Sequence, residues 1–96
     1  MKFSYYAILQ YDVDGICISF PDVPSALTCA DNKADGIQYA TEALELALHG
    51  MLVDKVPVPS SANEIVLNPK QELILITVEL EANCGKLFSQ NVIEVK

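Results

Sequence analysis

Three cysteines, one histidine and thirteen carboxylates are the side chains from which this 96-residue chain could build chemistry. The cysteines, Cys17, Cys29 and Cys84, are spaced by 12 and 55 residues, and His49 stands alone. Neither the spacing nor the ligand count matches a zinc signature, so no metal or other cofactor is expected. Cys17 and Cys29 read instead as small core residues on neighbouring strands. No nucleophile elbow marks a serine for a triad. His49 falls near the end of a helical stretch, where the macrodipole favours an imidazolium, and reads as a capping or surface group. The acids carry more information. Asp12, Asp14, Asp22, Asp31, Asp35, Glu42 and Glu45 are of the type that holds magnesium on strand–helix scaffolds. Asp12 and Asp14 fall in a turn, and Asp31 and Asp35 at a helix start, where solvated acids are ordinary. What exceeds that reading is the clustering of acid around the helix and its entry. The four glycines (15, 36, 50 and 85) lie too far apart for a phosphate loop.

Charge narrows the partners. All six basic residues are lysines, scattered singly, and the net charge is −7. Without arginine the chain lacks the planar fork that reads guanine edges and clamps phosphates, so direct nucleic-acid binding is not expected. Tyr5, Tyr6 and Tyr11 have no cationic neighbours and read as strand packing rather than a base-stacking platform. Residues 1–64 hold three lysines and nine carboxylates, whereas residues 65–96 hold three and four. Such a field repels RNA and anionic membranes and speeds encounter with a basic partner. No uncharged apolar run approaches 18 residues, and an odd cysteine count without an export signal points to a cytoplasmic chain with reduced thiols.

The elements that must position these residues follow from periodicity. Phe3 to Tyr11 is rich in aromatic and β-favouring residues, and Asp14-Gly15 supplies the positive φ of a hairpin turn. Ile16, Ile18 and Phe20 alternate with Cys17 and Ser19 at period two. Pro21 and Pro24 stop that strand, and Ala26 to Ala30 makes a short third one. Asn32 is a good N-cap, with Asp35 placed as an imperfect capping box. Ile37, Ala40, Leu44, Ala47, Leu48 and Met51 then recur at helical spacing up to an end between Gly50 and Asp54. Val56 to Ser61 is an extended, proline-rich connector. A short strand is expected at Ile65–Leu67 and a strong one at Leu73–Ala82, with Ile74, Ile76, Val78 and Leu80 on one face. Val92 to Val95 offers another pairing segment. The sum is one α+β domain, an antiparallel β-β-β-α-β two-layer sandwich.

Asp14-Gly15, the run Ile16-Cys17-Ile18-Ser19-Phe20-Pro21-Asp22-Val23-Pro24, Leu27-Thr28-Cys29-Ala30-Asp31 and the helix carrying Ala40-Thr41-Glu42-Ala43-Leu44 together resemble the HicB antitoxin family. Val56-Pro57-Val58-Pro59-Ser60 fits the same pattern, and Leu75 to Leu80 is similar to the family's following strand. The resemblance covers about residues 5–61. It departs at Ser25, where the family has glycine, and at Ala30-Asp31-Asn32, which replaces Gly-Asp-Thr. Asp35 stands alone where an acidic pair is common. The resemblance implies a partial ribonuclease H-like (HicB-like) domain over 1–82 without a working active site. Residues 83–96 are then a tail or strand leading towards the DNA-binding segment of longer members. It also implies a partner, a small basic HicA-type toxin that cleaves mRNA. The expected function is that of an antitoxin of a type II toxin–antitoxin system, not an enzyme. Its expected partner-facing residues are Asp22, Asp31, Asp35, Glu42 and Glu45, with His49 beside them. Two other readings stand: an orphan dimeric interaction module of the same fold, and a magnesium-dependent nuclease. The nuclease needs carboxylates at strand centres, where this chain offers Ile, Cys, Ser and Thr. A homodimer or higher homo-oligomer is expected through exposed strand edges.

Overall fold

The aromatic N-terminal stretch becomes β1 (Lys2–Asp12), which hairpins into β2 (Gly15–Ser19) with Asp12 opposite Gly15 and Val13-Asp14 as the two-residue loop. The computed structural model describes residues 1–83 and 85–89. Gly15 has φ +140°, and a Cβ there would stand 2.8 Å from the carbonyl oxygen of Ala30, so both backbone conformation and space demand glycine. The Pro21–Ala26 segment folds as two successive turns, Val23 N–H to the Phe20 carbonyl (3.1 Å) and Ala26 N–H to the Val23 carbonyl (2.9 Å). These turns bury Phe20, Val23 and Ala26 and deliver β3 (Leu27–Ala30) antiparallel to β2.

The helix α1 (Lys33–Leu48) starts where the sequence predicts. Asn32 is the N-cap, its Oδ1 accepting from the Asp35 N–H at 2.9 Å. Its buried seam is Gly36, Ala40, Leu44 and Leu48, a strict four-residue spacing, while Ile37 is 38% exposed. The expected core face included Ile37 and not Gly36. The reason is contact distance: a Cβ on Gly36 would lie 3.0 Å from Ile18 Cδ1 and 3.6 Å from the Ala30 Cβ, so the missing side chain lets the first turn sit directly on the sheet. Ile37 is thereby rotated to the shoulder. His49 is the C-cap, donating its N–H to the Glu45 carbonyl at 2.9 Å, so the helix ends just before the predicted window.

β4 (Gln71–Asn83) pairs with β1 from Lys2–Glu79 to Gln10–Gln71, and β5 (Lys86–Ser89) pairs with β4, giving the antiparallel order β3-β2-β1-β4-β5. Tyr5, Ala7, Leu9, Ile16, Ile18, Ile76, Val78, Leu80 and Leu87 form the sheet's share of the core, facing Ala40, Leu44 and Leu48 of the helix. The architecture is thus α+β, one helix on an antiparallel five-stranded sheet among the described residues. The N-terminal strand is the central one, because β4 returns from beyond the helix to its free side. β5, in the segment read only as a tail or strand, is joined on its outer side by residues 50–53: Gly50 N–H to the Leu87 carbonyl (2.7 Å), Leu87 N–H to the Met51 carbonyl (2.9 Å) and Val53 N–H to the Gly85 carbonyl (2.8 Å).

The connector is extended as predicted and tied down at two points. Buried Tyr5 donates its hydroxyl to the Pro57 carbonyl, and Asp22 accepts from both the N–H and the hydroxyl of Ser60. The expected strand at Ile65–Leu67 does not form. That stretch follows a short 3-10 turn (Ala62–Glu64) closed by a Ser61–Glu64 capping box, and Val66 is 91% exposed with no strand paired to it among the described residues. The segment Val92–Val95 and Cys84 lie outside the described residues.

Candidate functional site

Four carboxylates converge at one end of the sheet. The β1–β2 hairpin carries Asp12 and Asp14, and the β3–α1 junction carries Asp31 and Asp35. Together they line an open groove of about 960 Å³ whose walls also include Tyr11, Tyr39 and Lys70. The topology explains the convergence. β3 returns alongside β2, so its end, where the helix begins, lies beside the hairpin loop at which β2 begins. Gly15, pressed against the Ala30 carbonyl, brings the loop close to the helix entry.

Within this cluster the acids differ in what they do locally. Asp35 is half-buried; its Oδ2 accepts from the Asn32 side-chain amide at 3.1 Å, so it also completes the helix cap. Asp12, Asp14 and Asp31 are exposed. At the groove's margin Lys33 donates to Glu72 Oε2 at 2.8 Å, and the Tyr11 hydroxyl donates to Glu72 Oε1. The Lys33 hydrogen bond, then that of Tyr11, holds the Glu72 carboxyl below its usual range. The same contacts push Lys33 and Tyr11 upward. Lys33 is thus engaged by Glu72, and Lys70 remains the lysine lining the main groove against four aspartates.

The other expected site residues lie elsewhere. Glu42 is exposed on α1 and accepts from Gln38 Nε2 at 3.3 Å. Asp35, Glu42, Glu45 and His49 follow one another at helical spacings of seven, three and four, so they form a stripe running from the groove to the helix C-terminus. Asp22 is on neither surface: both its oxygens accept from Ser60, and it holds the connector against the turn after β2. Asp12 and Asp14, turn residues by their sequence context, are brought into the cluster by the sheet register. Glu72 was missed altogether, because the residues it meets are 61 and 39 positions away.

Cys17 and Cys29 are a correction. They are cross-strand neighbours, as expected, yet both are exposed rather than in the core, with their sulfurs 3.8 Å apart. Alternation explains it: Ile16 and Ile18 take the inward positions of β2, and Cys17 between them must face out. Among the described residues no three His, Cys, Asp or Glu side chains approach closely enough to hold a metal ion. No helix among them is long and apolar enough to cross a membrane.

No family model matches the chain. Two curated relatives do bear on it. Antitoxin HicB 2 of Photorhabdus laumondii is 32% identical over 62 residues, covering 62% of this chain and 45% of that protein. Antitoxin HicB 1 of the same organism is 26% identical over 88 residues, covering 85% and 57%. The chain is similar in sequence to HicB antitoxins. A 14.9 kDa protein of unassigned role from the rep-hol intergenic region of Haemophilus phage HP1 is 30% identical over 67 residues, 68% of this chain and 50% of that protein. The chain therefore spans about half the length of the curated relatives it matches.

Proposed function

We propose that this HicB-like chain is the toxin-binding part of an antitoxin, and that it neutralises a small basic HicA-type ribonuclease toxin by direct binding. The observation that carries the reading is the convergence of Asp12, Asp14, Asp31 and Asp35 on one open groove, in a chain of net charge −7 similar to HicB antitoxins. Carboxylates gathered on one groove offer a cationic RNA-binding surface negative charge in place of phosphates, and so compete with RNA for it. The helix stripe of Asp35, Glu42 and Glu45, with His49 at its end, extends the same field. Asp22 contributes by holding the connector. In this reading the fold is a partial ribonuclease H-like domain of residues 1–82 that works by occlusion, without catalysis, in the cytoplasm.

The test is titration with a small basic HicA-type toxin, followed by RNA cleavage in the presence of the complex. Close interfacial charge pairs have coupling energies of about 1.5–7 kcal/mol, so Asp31→Lys together with Asp35→Lys should weaken binding at least tenfold and restore cleavage. Unchanged affinity at low salt would remove the groove from the interface. Failure to bind any basic protein, with self-association alone, would favour an orphan interaction module.

A further inference from the structure

The outward-facing cysteines line the same groove as the four aspartates, but their chemistry follows from their own geometry and does not depend on the groove's proposed partner. We propose that Cys17 and Cys29 are a vicinal dithiol that closes to a cross-strand disulfide by exchange with a small-molecule disulfide. The residues are directly opposed in the β2–β3 ladder. Opposed residues in an antiparallel pair have Cα atoms about 4.5 or 5.5 Å apart, and both values fall within the roughly 4.4–6.8 Å that a disulfide spans. The sulfurs already stand 3.8 Å apart, each the other's hydrogen-bond partner, and closing to a bond of about 2.05 Å asks for side-chain rotation rather than a backbone shift. Both thiols are exposed, so an oxidant in solution reaches them. β3 is a four-residue strand at the side of the sheet away from β5, where a covalent tie to β2 adds most.

The chemistry balances with a disulfide of the glutathione class as oxidant. One cysteine thiolate attacks the oxidant, its S–S bond breaks and one small thiol leaves. The second cysteine then displaces the mixed disulfide and releases a second small thiol. Two electrons pass from the protein sulfurs to the oxidant, and the two protein protons end on the released thiols. The hydrogen bond to Cys29, then the neighbouring charges of Cys29 and Asp12, push the Cys17 thiol above its ordinary range, so closure accelerates with rising pH.

The full chain is its own assay, because cleavage after Lys2 and Lys33 releases a peptide, residues 3–33, that holds Cys17 and Cys29 but not Cys84. After incubation with excess oxidised glutathione and alkylation, that peptide should be about 2 Da lighter, with no alkyl group and no glutathione attached. The oxidised chain should melt on the order of 10 °C higher than the reduced one, since the bridge constrains the unfolded loop between the cysteines. Cys17→Ser should carry one glutathione on the same peptide and gain no melting temperature. A wild-type peptide bearing two glutathiones, two alkyl groups or a link to a second chain would overturn the proposal.

Discussion

At single residues, the fold is sensitive where side chains are missing or committed. Gly36 lets α1 touch Ile18 and Ala30, so a large side chain there must lift the helix off the sheet. Gly36→Leu should destabilise the chain by about 1–3 kcal/mol, the usual cost of overpacking, read as a lower denaturant midpoint. Gly36→Ala tests the same contact more gently, since the gain in helix propensity opposes a 3.0 Å approach to a mobile Cδ1. Tyr5 is fully buried with its hydroxyl donated to Pro57, and burial, then the charge of Asp22, raises its titration above the ordinary tyrosine value. Tyr5→Phe should cost about 1 kcal/mol, because the ring stays packed while the carbonyl loses its donor. The same loss should increase proteolysis of the connector at Val56–Ser61.

At the scale of elements, the helix entry links stability to the groove. Asn32→Ala removes the acceptor for the Asp35 N–H and should cost about 1 kcal/mol of stability. It should also weaken partner binding beyond the loss of stability, because the cap holds Asp35 beside Asp31. The Glu72–Lys33–Tyr11 cluster ties β4 to the helix start and β1, and its pH dependence has a definite sign. Glu72 titrates below its usual value, so its contribution is full above about pH 4.3, the unfolded value, and fades as pH falls through the folded one. Lys33 titrates above its usual value, so its share is complete below about pH 10.4 and is lost as pH rises through the folded value. The stability difference between wild type and Glu72→Gln should therefore be greatest near neutrality and shrink at both extremes. A difference independent of pH would mean that the cluster carries no net charge–charge stabilisation.

For the whole molecule, the acidic field and the sheet edges set the expectations. An electrostatically steered partner should associate more slowly as salt rises, with dissociation changing less, which stopped-flow mixing measures directly. Self-association is proposed through β3, since residues 50–53 already lie against the outer side of β5. Light scattering at about 100 µM should show a dimer, and a monomer there would exclude one tighter than about −5 kcal/mol.

The chain's own periodicity determined the first three strands, the helix with its Asn32 cap, the connector and the inward face of β4. Each of those is settled by residues within a few positions of one another: alternation for a strand, four-residue recurrence for the helix, proline and glycine at the breaks. Ile65–Leu67 shows the limit, for a β-favouring triplet becomes a strand only where another strand stands beside it. The position of β1 at the centre, the exposure of Cys17 and Cys29, Gly36 in the helix seam and the engagement of Glu72 were decided only by tertiary structure. So was the gathering of Asp12 and Asp14 with Asp31 and Asp35. Charge counting located acid near the helix, but a local signal carries no register. It is the hydrogen-bonded pairing of distant strands that sets the hairpin loop against the helix start and turns scattered aspartates into one groove.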